Sequence, residues 1–279
     1  MVPAFLSRAC MPELAEVEFN RKQWEPGRGR KVLAVWARDG KRVFRGESVA
    51  EIERALAGQR LLTSEAHGKQ LLFGFSGGIW LGIHLGMTGR LFCAPEAFRR
   101  GPHDHLVLQQ RERCLVFQDL RQFGRVRFYG GPDKPEWWTR LPPPILSRGF
   151  TVARVESALR RHARLSVKAV LLQQEHFPGV GNWMADEVLW RLGLFPGTMC
   201  GRVSPGFARR LWREVRWVSR RALATVGRAG SDPPRGWLFH HRWDAGGDCP
   251  RDGTPLQRAT MGGRTTAWCP ICQPQGEGR

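Results

Sequence analysis

The stretch FPGVGNWMADEVLWRLGLFP, residues 177–196, decides how the second half of the chain folds. Gly179 and Gly181 form a tight turn ahead of apolar residues at helical spacing, so the sequence predicts a helix that starts near Asn182. Backbone N–H groups at such a turn, with the positive end of a helix dipole, can bind a phosphate. The alternative is that Asn182 only caps the helix. Asparagine occurs only twice in the chain, which favours a specific role here.

The segments around this stretch also have helical periodicity, with polar and largely arginine faces. They predict a helical domain over residues 150–228. The proline-rich segment at 132–149 precedes this domain and is predicted to be a linker without helix or strand. The predicted helical segments are VARVESALRRH (152–162), SVKAVLLQQEHF (166–177), NWMADEVLWRLGL (182–194) and PGFARRLWREVRWVSRRALATV (205–226).

The tail after the helical domain is rich in Gly, Pro, Trp and Cys, which is typical of a small metal-bound ribbon over residues 236–275. Its spacing C-x2-D-x16-C-x2-C supplies three thiolates and one carboxylate, a set that can complete a tetrahedral zinc site. The alternative is a metal-free hairpin held by Trp243 and Trp268. Arg264 lies near the tip of this hairpin, where a guanidinium can clamp a phosphate. The predicted zinc ligands are Cys249, Asp252, Cys269 and Cys272.

The first half of the chain has a different pattern. Between residues 31 and 129, short β-type runs alternate with turns, which predicts an all-β body of sandwich or barrel type. A helix is predicted ahead of it at Met11–Trp24, with Pro12 in the first turn and apolar positions at Leu14, Val17 and Phe19. Together the two halves predict an α+β fold. The predicted strands are VLAVWA, QLLFGF, IWLGIHL, HLVLQ, CLVFQDL and RVRFYG.

The charge balance indicates a polyanionic partner. The 279 residues include 44 Lys and Arg against 25 Asp and Glu, a net charge of +19. A GC-rich genome explains the preference for Arg over Lys, but it does not explain why basic residues outnumber acidic ones. The sequence therefore favours nucleic acid as the binding partner. Seven cysteines, an odd number scattered over the chain, do not make a disulfide framework. No apolar run approaches about 20 residues, so we expect no membrane association and a cytoplasmic setting.

Several of these motifs occur in an order that resembles the formamidopyrimidine-DNA glycosylase and endonuclease VIII family. The resemblance covers residues 11–273 and implies a β-sandwich with a leading helix (12–140), a helix–two-turn–helix domain (150–228) and a zinc-finger hairpin (236–275). It also implies double-stranded DNA with damaged bases or abasic sites between the two lobes, and one structural zinc ion. The motifs are MPELAEVE, HGKQLL, IHLGMTGRL, HDH, DLRQFG, PGVGNWMADEVL and GGRTTAWCPICQ.

The implied activity is that of a bifunctional DNA glycosylase and AP lyase in base excision repair. It removes oxidised or ring-opened bases through a Schiff base and cuts the strand by β,δ-elimination. Pro12 matches the nucleophile, an amino-terminal proline whose secondary amine can form an iminium. Glu13 matches the general acid, Glu16 a supporting carboxylate, Lys69 a group that assists base loss, and Arg264 a group associated with δ-elimination. The alternative for the two glutamates is ordinary first-turn helix stabilisation, which would be favoured if the rest of the constellation were missing.

The resemblance also implies seven DNA-binding residues. Four grip phosphates or contact DNA elsewhere, and three form a wedge that fills the hole left by the flipped base. A Met or Phe in a β-body is more often plain core. The contact residues are His84, His103, Lys168 and Asn182, and the wedge residues are Met87, Arg121 and Phe123. We expect a monomer in the bacterial cytoplasm, associated with the nucleoid through DNA.

The sequence departs from the family pattern in three places, and each limits what can be inferred from the resemblance. Residues 1–11 form an extension that acylates the Pro12 nitrogen, and we expect the mature protein to lack it; otherwise the chain is a catalytically silent lesion-binding member. The Val226–Cys249 stretch is short for the loop that covers an oxidised guanine, which favours ring-opened purines, further-oxidised guanines and abasic sites. Asp252 replaces a zinc cysteine. A basic zinc-ribbon regulator is a more distant alternative and leaves the N-terminal motifs unexplained.

Overall fold

The computed structural model describes residues 11–243 and 246–276, so the first ten residues of the predicted extension lie outside it. The chain divides into two compact units. The first contains residues 16–141 and the segment that ends at Pro12, and the second contains Glu13–Ala15 and the chain from Pro142 onward. Helices and sheets are present in both, which confirms the predicted α+β class.

The first unit is a β-sandwich, as predicted. Its two four-stranded antiparallel sheets have the strand orders β1-β6-β7-β5 and β2-β3-β4-β8. Apolar side chains from both sheets form one core, in which the rings of Trp24 and Phe73 lie 4.7 Å apart. The strands are β1 (Val32–Ala37), β2 (Leu61–His67), β3 (Gln70–Phe75), β4 (Ile79–His84), β5 (Gly89–Pro95), β6 (Asp104–Gln110), β7 (Arg113–Asp119) and β8 (Arg125–Gly130).

The prediction of an all-β body was wrong in one place, because helix α2 (Val49–Leu56) lies within it. Ser48 caps this helix by accepting a hydrogen bond from the Glu51 N–H, and the apolar residues Val49, Ile52 and Leu56 point into the core. Strands β2 and β5 were not predicted. The first has an exposed leucine at 62 and no clean alternation, and the second contains Gly and Pro, which weaken a strand pattern.

The leading helix, α1, spans Leu14–Lys22, shorter at both ends than the predicted 11–24. It is fixed by the buried Asn20, whose Oδ1 accepts a hydrogen bond from the Leu91 N–H at 2.7 Å. The proline-rich linker was also predicted to lack helix, yet it contains one short helix, α3 (Glu136–Thr139). Pro135 directly precedes that helix, where a fixed φ and a missing N–H cost nothing.

The second unit is helical, with α4 (Val152–Arg161), α5 (Val167–Leu171), α6 (Asn182–Leu192) and α7 (Phe207–Ala229). Helix α5 was predicted to run to residue 177 but ends at Leu171. The carboxamide of Gln174 explains the break, because it donates to the Leu172 and Val180 carbonyls and accepts from the Gly179 N–H. These bonds wrap the chain into a turn before α6.

The tail forms the expected hairpin of β9 (Gln257–Met261) and β10 (Arg264–Trp268), which pair antiparallel. Gly262 and Gly263 join the strands with φ of 58° and 70°, a conformation that glycine adopts without strain. Among the described helices, none is long and apolar enough to span a bilayer.

Candidate catalytic and nucleic-acid site

In the first unit, Lys69 lies in the two-residue turn between β2 and β3, next to the segment that carries Pro12. Its Nζ is 3.9 Å from the sulfur of Met11, and it acts electrostatically on His84. The strand register puts Gln70 opposite His84, which brings the turn beside the end of β4. The structure thus brings Lys69, His84 and the Met11–Pro12 segment together. Pro12 itself is buried, and its nitrogen is an amide in the 279-residue chain.

His84 is a neutral imidazole with one donor to offer. Burial, together with the nearby charges of Lys69, Arg127 and Arg45, lowers the pKa of His84 to about 4. Its Nδ1 accepts the Gly86 N–H at 3.0 Å, so the remaining proton lies on Nε2. A ring in this state can donate one hydrogen bond to a phosphate oxygen without carrying charge.

One buried carboxylate, Asp119, holds the two loops that carry the predicted wedge residues Met87, Arg121 and Phe123. Its Oδ1 accepts from the Thr88 hydroxyl at 2.5 Å, next to Met87, and its Oδ2 accepts from the Gly124 N–H at 2.7 Å. The Arg121 N–H is shared between Thr88 Oγ1 (3.0 Å) and Asp119 Oδ1 (3.3 Å). These bonds tie the loop after β4 to the loop after β7.

The close approach of these two loops depends on Gly86. A Cβ at this position would lie 2.4 Å from Gly124 N and from the Phe123 carbonyl carbon, and φ is 64°. At the tip, Phe123 is 39% exposed and the Arg121 guanidinium lies 4.8 Å from its ring centroid. An exposed aromatic ring with a cation against it suits stacking beside a base.

In the second unit, Glu13 caps helix α6. Its carboxylate accepts three backbone hydrogen bonds, from the N–H groups of Gly181 (2.9 Å), Trp183 (2.9 Å) and Met184 (3.1 Å). The Leu14 N–H also donates to the Gly179 carbonyl at 2.9 Å. Helix α6 therefore takes its cap from a side chain 168 residues earlier in the chain.

This cap answers the question left open for Asn182. The N-cap residue of α6 is Gly181, and Asn182 is the first helical residue, whose Nδ2 donates to the Thr265 carbonyl at 2.8 Å. Gly181 is required by the close contact, since a Cβ there would lie 2.4 Å from the Glu13 carboxyl carbon. Asn182 thus links α6 to strand β10, and Glu13 occupies the N–H groups that the sequence assigned to a phosphate.

Lys168 lies at the centre of a buried polar cluster. Its Nζ donates to Asp186 Oδ1 at 2.5 Å and to Thr266 Oγ1 at 2.6 Å, and its side chain is fully buried. Arg242 donates to the other oxygen of Asp186, at 2.6 Å from Nη2 and 3.1 Å from Nε. Burial lowers the pKa of Lys168, and the Asp186 charge opposes that shift. In this conformation the ammonium is engaged inside the unit.

Arg264 is exposed at the start of β10, close in sequence to the residues that contact α5 and α6. Thr265 and Thr266 make those contacts, so the hairpin tip is held beside Asn182 and Lys168. Of the other expected site residues, Glu16 is buried on the first turn of α1 and His103 is exposed just before β6. The His103 carbonyl accepts a hydrogen bond from the Asp119 N–H at 3.0 Å, so the backbone of His103 lies beside Asp119.

The four predicted zinc ligands converge. Their ligand atoms all lie within 4.8 Å of one another, with Cys249 Sγ to Cys272 Sγ at 3.8 Å and Asp252 Oδ2 to Cys269 Sγ at 3.4 Å. Two thiolates bound to zinc at about 2.3 Å in a tetrahedron lie about 3.8 Å apart, so the quartet fits this metal. The Trp190 Nε1–H donates to Cys249 Sγ at 3.3 Å, as outer groups around metal sites often do.

Several functional positions escaped the sequence reasoning. Asp119 stands within the quoted DLRQFG motif and Asp186 within NWMADEVL, and a carboxylate inside a largely apolar stretch was a signal that could have identified each. Thr88 directly follows Met87 and could have been inferred only from the loop contact. No sequence signal marks Arg242, because its partner lies 56 residues earlier.

Comparison with known proteins agrees with this architecture. Residues 11–126 match the formamidopyrimidine-DNA glycosylase N-terminal domain, and residues 141–232 match the formamidopyrimidine-DNA glycosylase H2TH domain. Formamidopyrimidine-DNA glycosylase of Thermus thermophilus is 36% identical over 279 residues, covering 95% of this chain and all of the relative. That of Solibacter usitatus is 33% identical over 271 residues, covering 94% of this chain and 99% of the relative.

The solved structures point the same way. A crystal structure of the wild-type Lactococcus lactis Fpg (MutM) in complex with DNA containing an oxidized pyrimidine superimposes with a TM-score of 0.83 at 25% identity. The match covers 95% of this chain and all of that one. On the two domain matches and the near-complete coverage of its relatives, the chain belongs to the formamidopyrimidine-DNA glycosylase family and is a DNA glycosylase of base excision repair.

Proposed function

We propose that the protein is a bifunctional DNA glycosylase and AP lyase whose nucleophile is the Pro12 amine, set free when the residues before it are removed. The family match begins at residue 11, one residue before Pro12. The single observation that carries the proposal is the grouping of Lys69 and His84 beside the Met11–Pro12 segment. This grouping supports the proposal, because a lysine amine and an imidazole that can donate a hydrogen bond to a phosphate lie near the segment that contains Pro12.

In the proposed reaction the Pro12 nitrogen attacks C1′ of the damaged nucleotide. The bond from C1′ to the base breaks, and the departing base takes up the proton that the nitrogen loses as the iminium forms. Glu13 in its protonated form supplies the second proton, to the opened sugar oxygen, and becomes the carboxylate that the backbone N–H groups of the α6 cap stabilise. Loss of a proton from C2′ then expels the 3′ phosphate, and a second elimination expels the 5′ phosphate.

The proposed partner is double-stranded DNA that contains an oxidised or ring-opened base or an abasic site. A net charge of +19 supports a large, salt-sensitive electrostatic share of the binding free energy. The exposed Arg121 and Phe123 supply the wedge, and the neutral His84 and the exposed Arg264 supply phosphate contacts. Lys168 supports the same surface by fixing the hairpin that carries Arg264.

We further propose that the quartet of Cys249, Asp252, Cys269 and Cys272 holds one structural zinc ion. The ion would fix the base of the hairpin whose tip carries Arg264. Cys269→Ala should abolish zinc retention, and Asp252→Ala should lower it, because an oxygen ligand contributes less than a thiolate. Metal analysis of carefully purified protein measures this, and a zinc-free wild type contradicts the site.

Borohydride trapping on abasic DNA tests the nucleophile. Protein that begins at Pro12 should give a covalent protein–DNA adduct, because borohydride reduces the iminium to a stable amine. The verified 279-residue form should give none, because its Pro12 nitrogen is acylated by Met11. Pro12→Gly in the short form is the matched control, since a terminal glycine is still an amine and should retain some trapping.

Two outcomes would contradict the assignment. Efficient trapping by the long form would identify another amine, with Lys69 the first candidate. Trapping by neither form, with DNA binding retained, would favour the alternative of a silent lesion-binding protein. Glu13→Gln should remove base excision, but it also removes an acceptor from the α6 cap, so its thermal stability must be measured alongside.

A further inference from the structure

A second cluster of metal-binding side chains lies in the helical unit, apart from the cysteine quartet. It consists of His162, which follows the last residue of α4, and the pair Glu175 and His176 in the turn between α5 and α6. One ligand atom from each lies within 4.8 Å of the other two. None of these residues belongs to the proposed chemistry of base excision.

The distances within the cluster suit a metal ion. His162 Nε2 lies 3.0 Å from His176 Nε2, and Glu175 Oε1 lies 3.3 Å from the same His176 nitrogen. Two imidazoles bound to zinc at about 2.0 Å in a tetrahedron lie about 3.3 Å apart, so a shift of about 0.3 Å brings the rings to this spacing. A hydrogen bond between the rings, with Glu175 paired to His176, accounts for the same contacts, and a metal titration separates the two cases.

Access and charge also permit an ion. The Glu175 side chain is 69% exposed and the His176 side chain is 15% exposed, so an ion can reach the cluster from solvent on the Glu175 side. Arg154 and Arg161 act electrostatically on His176 and oppose a cation, whereas the Glu175 carboxylate favours it. Two imidazoles and one carboxylate, with an open position for water, form the ligand set found in many zinc sites.

We propose that His162, Glu175 and His176 bind one Zn²⁺ ion, as a second metal site distinct from the cysteine quartet. The ion ties the end of α4 to the turn that Gln174 organises just before Gly179 and Gly181. Binding therefore stabilises the helical unit near the α6 cap. The proposal stands independently of the lyase chemistry.

The test is a Zn²⁺ titration of the full 279-residue chain by calorimetry at pH 7.5, with protein that already holds its finger zinc. Wild type should bind one additional ion, and its thermal midpoint should rise with zinc. His162→Gln and His176→Gln should each weaken this binding by at least about tenfold, and Glu175→Gln by less. Glu156→Gln, an exposed carboxylate on α4, is the matched control and should bind as wild type does.

The stoichiometry separates the two sites. Cys269→Ala should lose the finger zinc yet keep the second ion, whereas His162→Gln and His176→Gln should keep the finger zinc and lose the second ion. Circular dichroism without added zinc checks that the histidine variants fold. If either does not fold, the loss of zinc affinity in Glu175→Gln, a change at an exposed side chain, provides the test instead. Failure of wild type to bind a second ion, or equal binding by wild type and His176→Gln, would overturn the site and leave a hydrogen-bonded histidine pair.

Discussion

Each unit holds several of the predicted site residues around one fully buried carboxylate, but the two carboxylates are stabilised by different kinds of donor. Asp119 in the first unit accepts hydrogen bonds from neutral donors, a hydroxyl and backbone N–H groups. Asp186 in the second unit is bonded to two cations, Lys168 and Arg242, and to the Ala267 N–H. Both are inaccessible to solvent.

The difference separates two ways of using a buried charge. Asp119 holds the backbone of a loop and leaves the side chains of Arg121 and Phe123 free to project toward a ligand. Asp186 pairs directly with Lys168, so the Lys168 ammonium is engaged in the interior of its own unit. A buried carboxylate that positions backbone leaves the charged side chains nearby available, and one that pairs with a cation does not.

The largest effect should follow from removing Asp186. Asp186→Ala leaves two buried cations without their partner, and we expect the free energy of unfolding to fall by about 3–5 kcal/mol. Lys168→Met should cost less, because Arg242 still pairs with Asp186. Urea denaturation measures both, with the exposed Asp133→Asn as control.

Lys168→Met also tests whether Lys168 binds DNA phosphate or only pairs with Asp186 inside the unit. If its ammonium reaches a DNA phosphate in the complex, Lys168→Met should lower the salt slope of DNA binding by about 1. An unchanged slope, with a measurable loss of stability, would assign Lys168 to the interior alone.

A smaller effect is expected at Asp119. Asp119→Asn replaces one acceptor oxygen with an N–H₂ group that faces a donor, so stability should fall by about 1–3 kcal/mol. Excision should fall further than stability predicts, because the loops carrying Met87, Arg121 and Phe123 lose their common anchor. Comparing kcat/KM with the unfolding free energy checks this. An activity loss no greater than that of an equally destabilised core variant would contradict the positioning role.

Glu187 extends the comparison to a buried carboxyl whose cationic partner is more distant than those of Asp186. Its nearest salt-bridge partner, Arg191, is 4.0 Å away, and burial raises the pKa of Glu187 to about 8. The folded state therefore holds a proton that the unfolded chain releases near its ordinary pKa of 4.5. Stability from this group is complete below pH 4.5 and is lost as pH rises through 8, at up to about 1.4 kcal/mol per pH unit.

Glu187→Gln should flatten this dependence. The difference in unfolding free energy between variant and wild type should then change with pH between about 5 and 8 in favour of the variant. Chemical denaturation at several pH values measures the difference. A constant difference across this range would show that the carboxyl is ionised in the folded protein.

The smallest effect on stability is expected at the exposed wedge. Arg121→Ala removes a guanidinium that lies against the Phe123 ring at the surface, so the unfolding free energy should change by about 0.5–1 kcal/mol at most. Excision should nevertheless fall clearly, because the arginine would enter the gap left by the flipped base. A loss of stability comparable to that of Asp119→Asn would place Arg121 in the scaffold instead.

The sequence predicted those strands and ligand sets that are determined by a local residue pattern. Runs such as QLLFGF and CLVFQDL became central strands because nearly every residue in them is buried. It did not predict β2, whose pattern is set by its neighbour β3. The metal quartet follows from spacing alone, whereas the pairing of Asp186 with Arg242 is formed only by tertiary folding. Phosphate binding was predicted at the α6 turn because nothing local indicates that Glu13 fills those N–H groups.

The cap of α6 also bears on the order of synthesis. The second unit is discontinuous, because Glu13–Ala15 belong to it while residues 16–141 do not. Glu13 leaves the ribosome long before α6 exists, and the helix N-terminus stays incomplete until a loop of 168 residues has closed. A fragment that starts at Pro142 would lack this cap, so we expect the helical unit expressed alone to be less stable than the same unit in a chain that contains Glu13.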